Sequence, residues 1–287
     1  MKAASSSLSL AILALSLAAC ATAKLDMSTT APTPDRRVGL RAGEMNAGEA
    51  AWNLRVVSKT RPSEKFAGVT NSDLSFSGHY AIQGNYNGYQ VWDITNPKKP
   101  RLKIGYLCPA SQSDVSVYKN LLFVSGEGMS GRLDCGTEGV HDSVSAARLR
   151  GIRTFDITDI ANPKYIGNVQ TCRGSHTHTV VEDPADKDNV YIYVSGSAGV
   201  RSPNELPGCS KLAPDQDSSS ALFRIEVIKV PLAHPELASI VSSPRIFADL
   251  TEAATHAETP QDIAAAATAA ATARAAGGFT ADRKSVV

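Results

Sequence analysis

Gly88-Tyr89-Gln90-Val91-Trp92-Asp93-Ile94-Thr95-Asn96-Pro97, followed by Leu102-Lys103-Ile104-Gly105, is the stretch that decides the fold, because the chain repeats it. A second unit runs Gly151-Ile152-Arg153-Thr154-Phe155-Asp156-Ile157-Thr158, then Asn162-Pro163, then Tyr165-Ile166-Gly167, and Asp93 and Asp156 stand 63 residues apart. A weaker third copy is Ile225-Glu226-Val227-Ile228-Lys229-Val230, then His234-Pro235, then Ser239-Ile240-Val241. Between the copies, Leu121-Leu122-Phe123-Val124-Ser125-Gly126 corresponds to Tyr191-Ile192-Tyr193-Val194-Ser195-Gly196, and Tyr80-Ala81-Ile82-Gln83-Gly84 fills the same slot earlier.

These runs are short, rich in β-branched and aromatic residues, and bounded by Gly, Asn and Pro, which is the pattern of strands. The Asp-Ile-Thr pieces are turns, since Asp and Asn side chains bond nearby backbone amides and Pro pre-sets φ. Each unit thus predicts several strands of one small antiparallel sheet. Such a sheet cannot bury both faces alone, and stacking radially on copies of itself solves the problem. The expectation is all-β, with β-propeller-type repeats over residues 61–250. The spacing exceeds the usual blade of about 40–50 residues. The excess falls in the stretches 127–150 and 197–220.

Val91-Trp92-Asp93-Ile94-Thr95-Asn96-Pro97 and Asp114-Val115-Ser116-Val117 resemble the LVIVD-repeat family, whose Val-x-Asp-Ile-Ser/Thr-Asn-Pro core follows an Asp-Val-x-Val strand. The resemblance covers roughly residues 65–247. The second copy departs from it by three inserted residues before Asn162, and the third has Lys229 where the motif has Asp. The resemblance implies an envelope-associated propeller without an agreed chemistry, and it carries over no catalytic residues.

A closed ring takes about four to eight blades. The sequence supplies about three blades, an incomplete ring. Asp282-Arg283-Lys284-Ser285-Val286-Val287 matches a translated sequencing adapter, so a C-terminally truncated chain is expected. At the other end, Lys2 precedes an uncharged Leu- and Ala-rich stretch from Leu8 to Ala19. That stretch is too short to cross a bilayer at about 20 residues per span, so residues 1–20 are read as a signal peptide. It ends Leu17-Ala18-Ala19-Cys20, which resembles a lipobox and makes Cys20 the lipidation site; the alternative is ordinary cleavage after Ala21-Thr22-Ala23. Residues 21–60, rich in Ala, Thr, Pro and charge, are expected to be a flexible tether. Residues 251–287 are an Ala-rich low-complexity tail, in which Ala264 to Ala276 is helical by propensity but is expected to act as a linker or insertion.

Hydrophobic residues make up 43% of the chain, enough for a core, and a formal net charge of +1 argues against a nucleic-acid surface. Besides Cys20, an exported chain with Cys108, Cys135, Cys172 and Cys209 is expected to form two disulfides. Three pairings are possible and sequence alone does not choose. Cys108 with Cys135 and Cys172 with Cys209 is the favoured pairing, because each pair brackets one repeat and its loop. Metal ligation by these cysteines is disfavoured, since no Cys-x-x-Cys spacing exists.

Candidate chemistry is sparse. Ser175-His176-Thr177-His178-Thr179 occupies the slot held by Asp73 and Asp114 in the earlier units. His at i and i+2 of a strand share a face, so His176 and His178, with His141 from the long loop, are the candidate transition-metal ligands. Structural hydrogen bonding in a tight turn is the competing reading of the same histidines. Ser125-Gly126 and Ser195-Gly196 close matching strands, and no Gly-x-Ser-x-Gly motif is present, so no nucleophile is assigned. Asp93 and Asp156 recur at one place in the repeat and are read as architecture. Gly126-Glu127-Gly128-Met129-Ser130-Gly131 lacks the Lys and helix of a phosphate loop, and Asp183 to Asn189 lacks the spacing of a calcium loop.

The expected function is therefore a non-enzymatic binding or scaffolding module at the cell envelope. Its partner would be a protein or glycan, its membrane contact a lipid anchor, and no cofactor or nucleic acid is called for. The alternative is a metal-dependent propeller enzyme, an oxidoreductase or hydrolase using His176 and His178 with a transition metal ion.

Overall fold

The computed structural model describes residues 28–43, 46–246 and 259–275. Cys20, the leader and Asp282 to Val287 lie outside the described residues. The chain divides into two compact units, one ending at Lys59 and the other beginning at Thr60. In the first, residues 28–59 carry turns but, among the described residues, no strand or helix. Asn53 Nδ2 donates to Ser28 O at 2.7 Å and Arg36 donates to Ala51 O at 3.0 Å, so this stretch folds back on itself.

Among its described residues the second unit is all-β apart from one α-helix and two single 3-10 turns, with twelve strands in three antiparallel sheets of four. The first sheet is β1 (Asn71–Ser77), β2 (Tyr80–Asn85), β3 (Gly88–Asp93) and β4 (Arg101–Leu107). The second is β5 (Val115–Tyr118), β6 (Leu121–Gly126), β7 (Gly151–Asp156) and β8 (Lys164–Gln170). The third is β9 (His178–Asp183), β10 (Asp186–Val194), β11 (Glu226–Pro231) and β12 (Ser239–Ser242). Strand order follows chain order in each, the meander of a propeller blade, and the ring of blades is not closed.

Packing follows the logic the repeat demands. Successive side chains of a strand face opposite ways. On β6, Leu122 and Val124 join Ile82, Tyr89 and Val91 of the first sheet in one apolar cluster, with Phe155 of β7. Leu121 and Phe123 point the other way, into a second cluster with Val190, Ile192 and Val194 of the third sheet. All six residues of β6 are buried, because the middle sheet is covered on both faces. Between the first two sheets, Tyr89 stacks on Tyr106 at 5.1 Å, and Phe155 sets its edge against both rings.

Two glycines mark where β3 and β7 begin. Gly88 and Gly151 have φ of +136° and +150°, and a Cβ there would lie 2.1 Å from Tyr106 O and 2.0 Å from Val169 O. Only glycine permits that approach to the last strand of the sheet. The turns at the far end carry the chemistry read from the sequence: the Asp93 carboxylate accepts from the Thr95 amide at 2.9 Å, and the Asp156 carboxylate from the Thr158 amide at 2.8 Å. Both carboxyls sit below their usual pKa because of these threonine contacts.

The Ala-rich segment takes the helical form that its propensity allows. Pro260–Ala275 forms a 16-residue helix, α1. Alanine has the highest helix propensity, and here it prevails without an apolar stripe to dock the helix. Among the described residues no helix is long and apolar enough to cross a membrane.

Candidate functional site

The first strands of the three sheets lie side by side and start at one end. Ser72 Oγ donates to Ser113 O at 3.2 Å, the Val117 amide donates to Ser75 Oγ at 3.1 Å, and the His178 amide donates to Asp114 Oδ2 at 3.1 Å. In a four-stranded meander the connection from second to third strand returns to the end where the first strand began. The long connections, residues 127–150 between β6 and β7 and residues 195–225 between β10 and β11, therefore share this end with Asp73, Asp114 and His178. In the first sheet the same connection is a tight turn at Tyr86-Asn87.

Each long connection is stapled. Cys135 is bonded to Cys108, just after β4, and Cys209 to Cys172, just after β8. A buried ion cluster, invisible to the sequence reading, then ties the two connections together. Glu205, 2% exposed, receives Arg201 Nε at 2.7 Å and pairs with Arg148. The Ser145 amide donates to the same carboxylate at 2.9 Å. Burial opposes ionisation of Glu205, but the Ser145 amide and the two guanidinium groups outweigh it and hold its pKa below the ordinary value. Arg148 also donates to the carbonyls of Met129, Ser143 and Asp142. Arg153 of β7 reaches back to Cys108 O and Pro109 O at 3.0 and 3.2 Å, fixing the staple of the preceding sheet. Beside the second staple lies a cleft of about 590 Å³, lined by Val200, Ser202, Pro203, Lys211, Leu212 and Ser219 among others.

The predicted histidines stand in different surroundings. Strand β9 begins at His178, so His176 precedes the strand. His176 is half exposed, its Nδ1 2.7 Å from Glu127 Oε1. His178 is fully buried, its Nδ1 2.8 Å from Ser125 Oγ. His141 bonds Glu138 O within its own loop, at 3.1 Å. Among the described residues no group of three or more His, Cys, Asp or Glu is placed to hold a metal. The register also shifts the slot assignment by one residue. His178 pairs with Val194 as Val115 pairs with Val124 and Leu74 with Gln83, so His178 takes an apolar position and Thr177 falls in the Asp slot.

The hydrogen-bond directions around His178 are fixed by the network. Ser175 Oγ donates to Thr177 O at 3.0 Å, so in its 2.8 Å contact with Ser125 Oγ it accepts. Ser125 has then given its proton away and accepts from His178 Nδ1–H. A serine activated by histidine needs the reverse polarity. Asp114 also approaches Nδ1, at 3.4 Å, instead of the far nitrogen. Ser125 is completely buried, so the Ser–His–Asp grouping is a structural relay. Burial keeps His178 neutral, its pKa down to about 4 against the pull of Asp73. His178 Nε2 is buried and has no hydrogen-bond partner among the described residues. Asp114 is pushed up to about 7, by burial first and then by sharing a hydrogen bond with Asp73.

Against known proteins, the chain matches no family model and no curated protein sequence.

Proposed function

We propose that this protein is a non-enzymatic binding module, exported to the cell envelope and tethered there by lipid on Cys20, with a protein or glycan as partner. One observation carries the reading: two long loops at one end of the repeats are each stapled by a disulfide and joined by the buried Arg148–Glu205–Arg201 cluster. A loop face held rigid on a sheet scaffold loses little entropy on binding. The disulfides fit an oxidising compartment. The LVIVD-type repeat, resting on its motif, fits an envelope setting. The polarity at Ser125 speaks against nucleophilic catalysis.

The test is capture from envelope fractions and on glycan arrays, with the chain compared against variants carrying exposed-loop changes such as Met129→Asp, Val144→Asp and Leu212→Asp. A partner retained by the parent and lost in these variants supports the reading. Equal retention by all of them, or no enrichment, sinks it.

A second reading, a metal-dependent enzyme at His176 and His178, has one observation in its favour: the unclaimed lone pair on His178 Nε2. Elemental analysis of the purified chain decides it. No bound transition metal, or the same content after His176→Ala and His178→Ala, removes it.

A further inference from the structure

The two disulfide staples differ in what touches their sulfurs. Arg224 Nη2 donates to Cys172 Sγ at 3.0 Å. The same nitrogen donates to Glu226 Oε1 at 2.8 Å, so a carboxylate on β11 holds the guanidinium against the sulfur. A guanidinium at a sulfur favours thiolate over thiol, and a thiol that ionises easily is a fast leaving group in disulfide exchange. Among the described residues no hydrogen bond reaches the sulfur of Cys108 or Cys135. The nearest charged neighbours of Cys135 in the chain are Asp134 and Glu138, carboxylates that share Arg132. They disfavour an approaching thiolate.

The other half of the second staple has an approach. Cys209, and not Cys172, lines the cleft of about 590 Å³, with Val200, Pro203, Lys211 and Leu212 around it. Cys209 is only 3% exposed, so a thiol reaches it through this cleft and not from the open surface. The volume lies within the range of small-molecule sites, about 300–1,000 Å³, and is too small for a folded protein. Lys211 is exposed at the cleft and attracts the thiolate, which is the nucleophilic form of a thiol. The staple is thus asymmetric, with its point of attack at one cysteine and its stabilised leaving group at the other.

We propose that Cys172–Cys209 is an exchange site for a low-molecular-weight thiol, which enters the cleft, attacks Cys209 and expels Cys172 onto Arg224. The incoming thiol gives its proton to water. Its sulfur then forms a bond to Cys209 Sγ, the bond between Cys209 and Cys172 breaks, and the electron pair leaves on Cys172 Sγ as a thiolate facing Arg224. One disulfide is consumed and one is formed, so the thiol is the only co-reactant. The product holds the body of the thiol in the cleft and releases the connection 195–225 from its staple. This inference rests on the surroundings of the two sulfurs and is independent of the proposed function.

The experiment treats the folded, oxidised chain with reduced glutathione, quenches with acid, alkylates the free thiols and maps every cysteine by peptide mass spectrometry. The expected first product carries glutathione on Cys209 and the alkyl label on Cys172, with Cys108–Cys135 intact. Arg224→Gln should slow that step by about threefold or more, because the leaving thiol becomes less acidic, and Arg224→Lys should keep most of the rate. Lys211→Glu, an exposed-surface change, should slow glutathione more than 2-mercaptoethanol, which has no carboxylates. Far-ultraviolet circular dichroism confirms that each variant is folded; should Arg224→Gln fail to fold, the map of the parent and the Lys211→Glu rates decide. First opening at Cys108–Cys135, glutathione on Cys172 instead of Cys209, an unchanged rate in folded Arg224→Gln, or equal slowing of the two thiols by Lys211→Glu would overturn the proposal.

Discussion

His178 Nδ1 donates to Ser125 Oγ across 2.8 Å, linking the first strand of the third sheet to the second strand of the middle one. The bond stands at a position where the other two sheets carry an apolar side chain, for His178 is the counterpart of Val115 and Leu74. A polar pair set into an interface of this kind is specific in register and costly to break on one side.

Ser125→Ala should lower stability by about 1–3 kcal/mol, because it strands a buried imidazole N–H. His178→Val, which installs the side chain its counterpart carries, should cost less than about 1.5 kcal/mol, since Ser125 still bonds Ser175. In the His178→Val background, Ser125→Ala should cost less than it does alone. Urea unfolding of the two single variants and the double variant gives the comparison; additive losses would contradict it.

The pH dependence of stability should be the difference of two opposed slopes. Asp114 is raised to about 7 by burial and Asp73, so between its unfolded value near 4 and 7 the folded state holds the extra proton. Its contribution falls as pH rises through that window. His178 is lowered to about 4 by burial, so between 4 and about 6.5 the unfolded state holds the extra proton, and its contribution falls as pH drops. Asp114→Asn should expose the histidine slope, with stability rising from pH 4 to 6.5 more steeply than in the parent. His178→Val should expose the other, with stability falling toward pH 7. Urea midpoints at half-unit intervals from pH 4 to 8 read both, and identical slopes in the two variants would refute the assignment.

Glu205→Gln should cost about 3–5 kcal/mol, because it leaves two buried guanidinium groups without their carboxylate. The loss should appear first as cleavage of the loops 127–150 and 195–225 under limited proteolysis, before the sheets unfold. Unchanged cleavage rates would show that the cluster does not hold the loops.

Reducing the disulfides, or replacing Cys172 and Cys209 by Ser, should cost about 2–4 kcal/mol by releasing loop closure in the unfolded chain. The two loops span 27 and 37 residues, so loss of either staple should weigh nearly equally. Thermal melting of the two double-serine variants tests this.

Gly88→Ala and Gly151→Ala should each be severely destabilising, since the added methyl meets a backbone carbonyl that cannot step aside. Loss of soluble protein, or a fall in melting temperature well beyond that of Gly167→Ala, where a Cβ meets nothing, is the expected reading.

The strands and far-end turns were legible because they rest on local chemistry. Alternation on Leu121–Gly126 and the Asp-to-Thr amide bonds are written in adjacent residues. The loop-bearing end was not. Arg148, Arg201 and Glu205 lie up to 57 residues apart and follow no period, so only the fold brings them together. The placing of the histidines was not legible for a related reason. Ser175-His176-Thr177-His178 looks like alternation, but the ladder starts only at His178, and a one-residue offset turns a side chain from one face to the other. The helix of the alanine segment was legible from propensity alone.

The short turn at Tyr86-Asn87 gives the first sheet a role of its own. Its two sisters show that this connection tolerates insertions of about twenty to thirty residues without disturbing the strands on either side. The same spot on the first sheet is therefore a natural graft point: a foreign peptide spliced there would emerge beside the two native loops, and the scaffold could be furnished with a new specificity without touching its core.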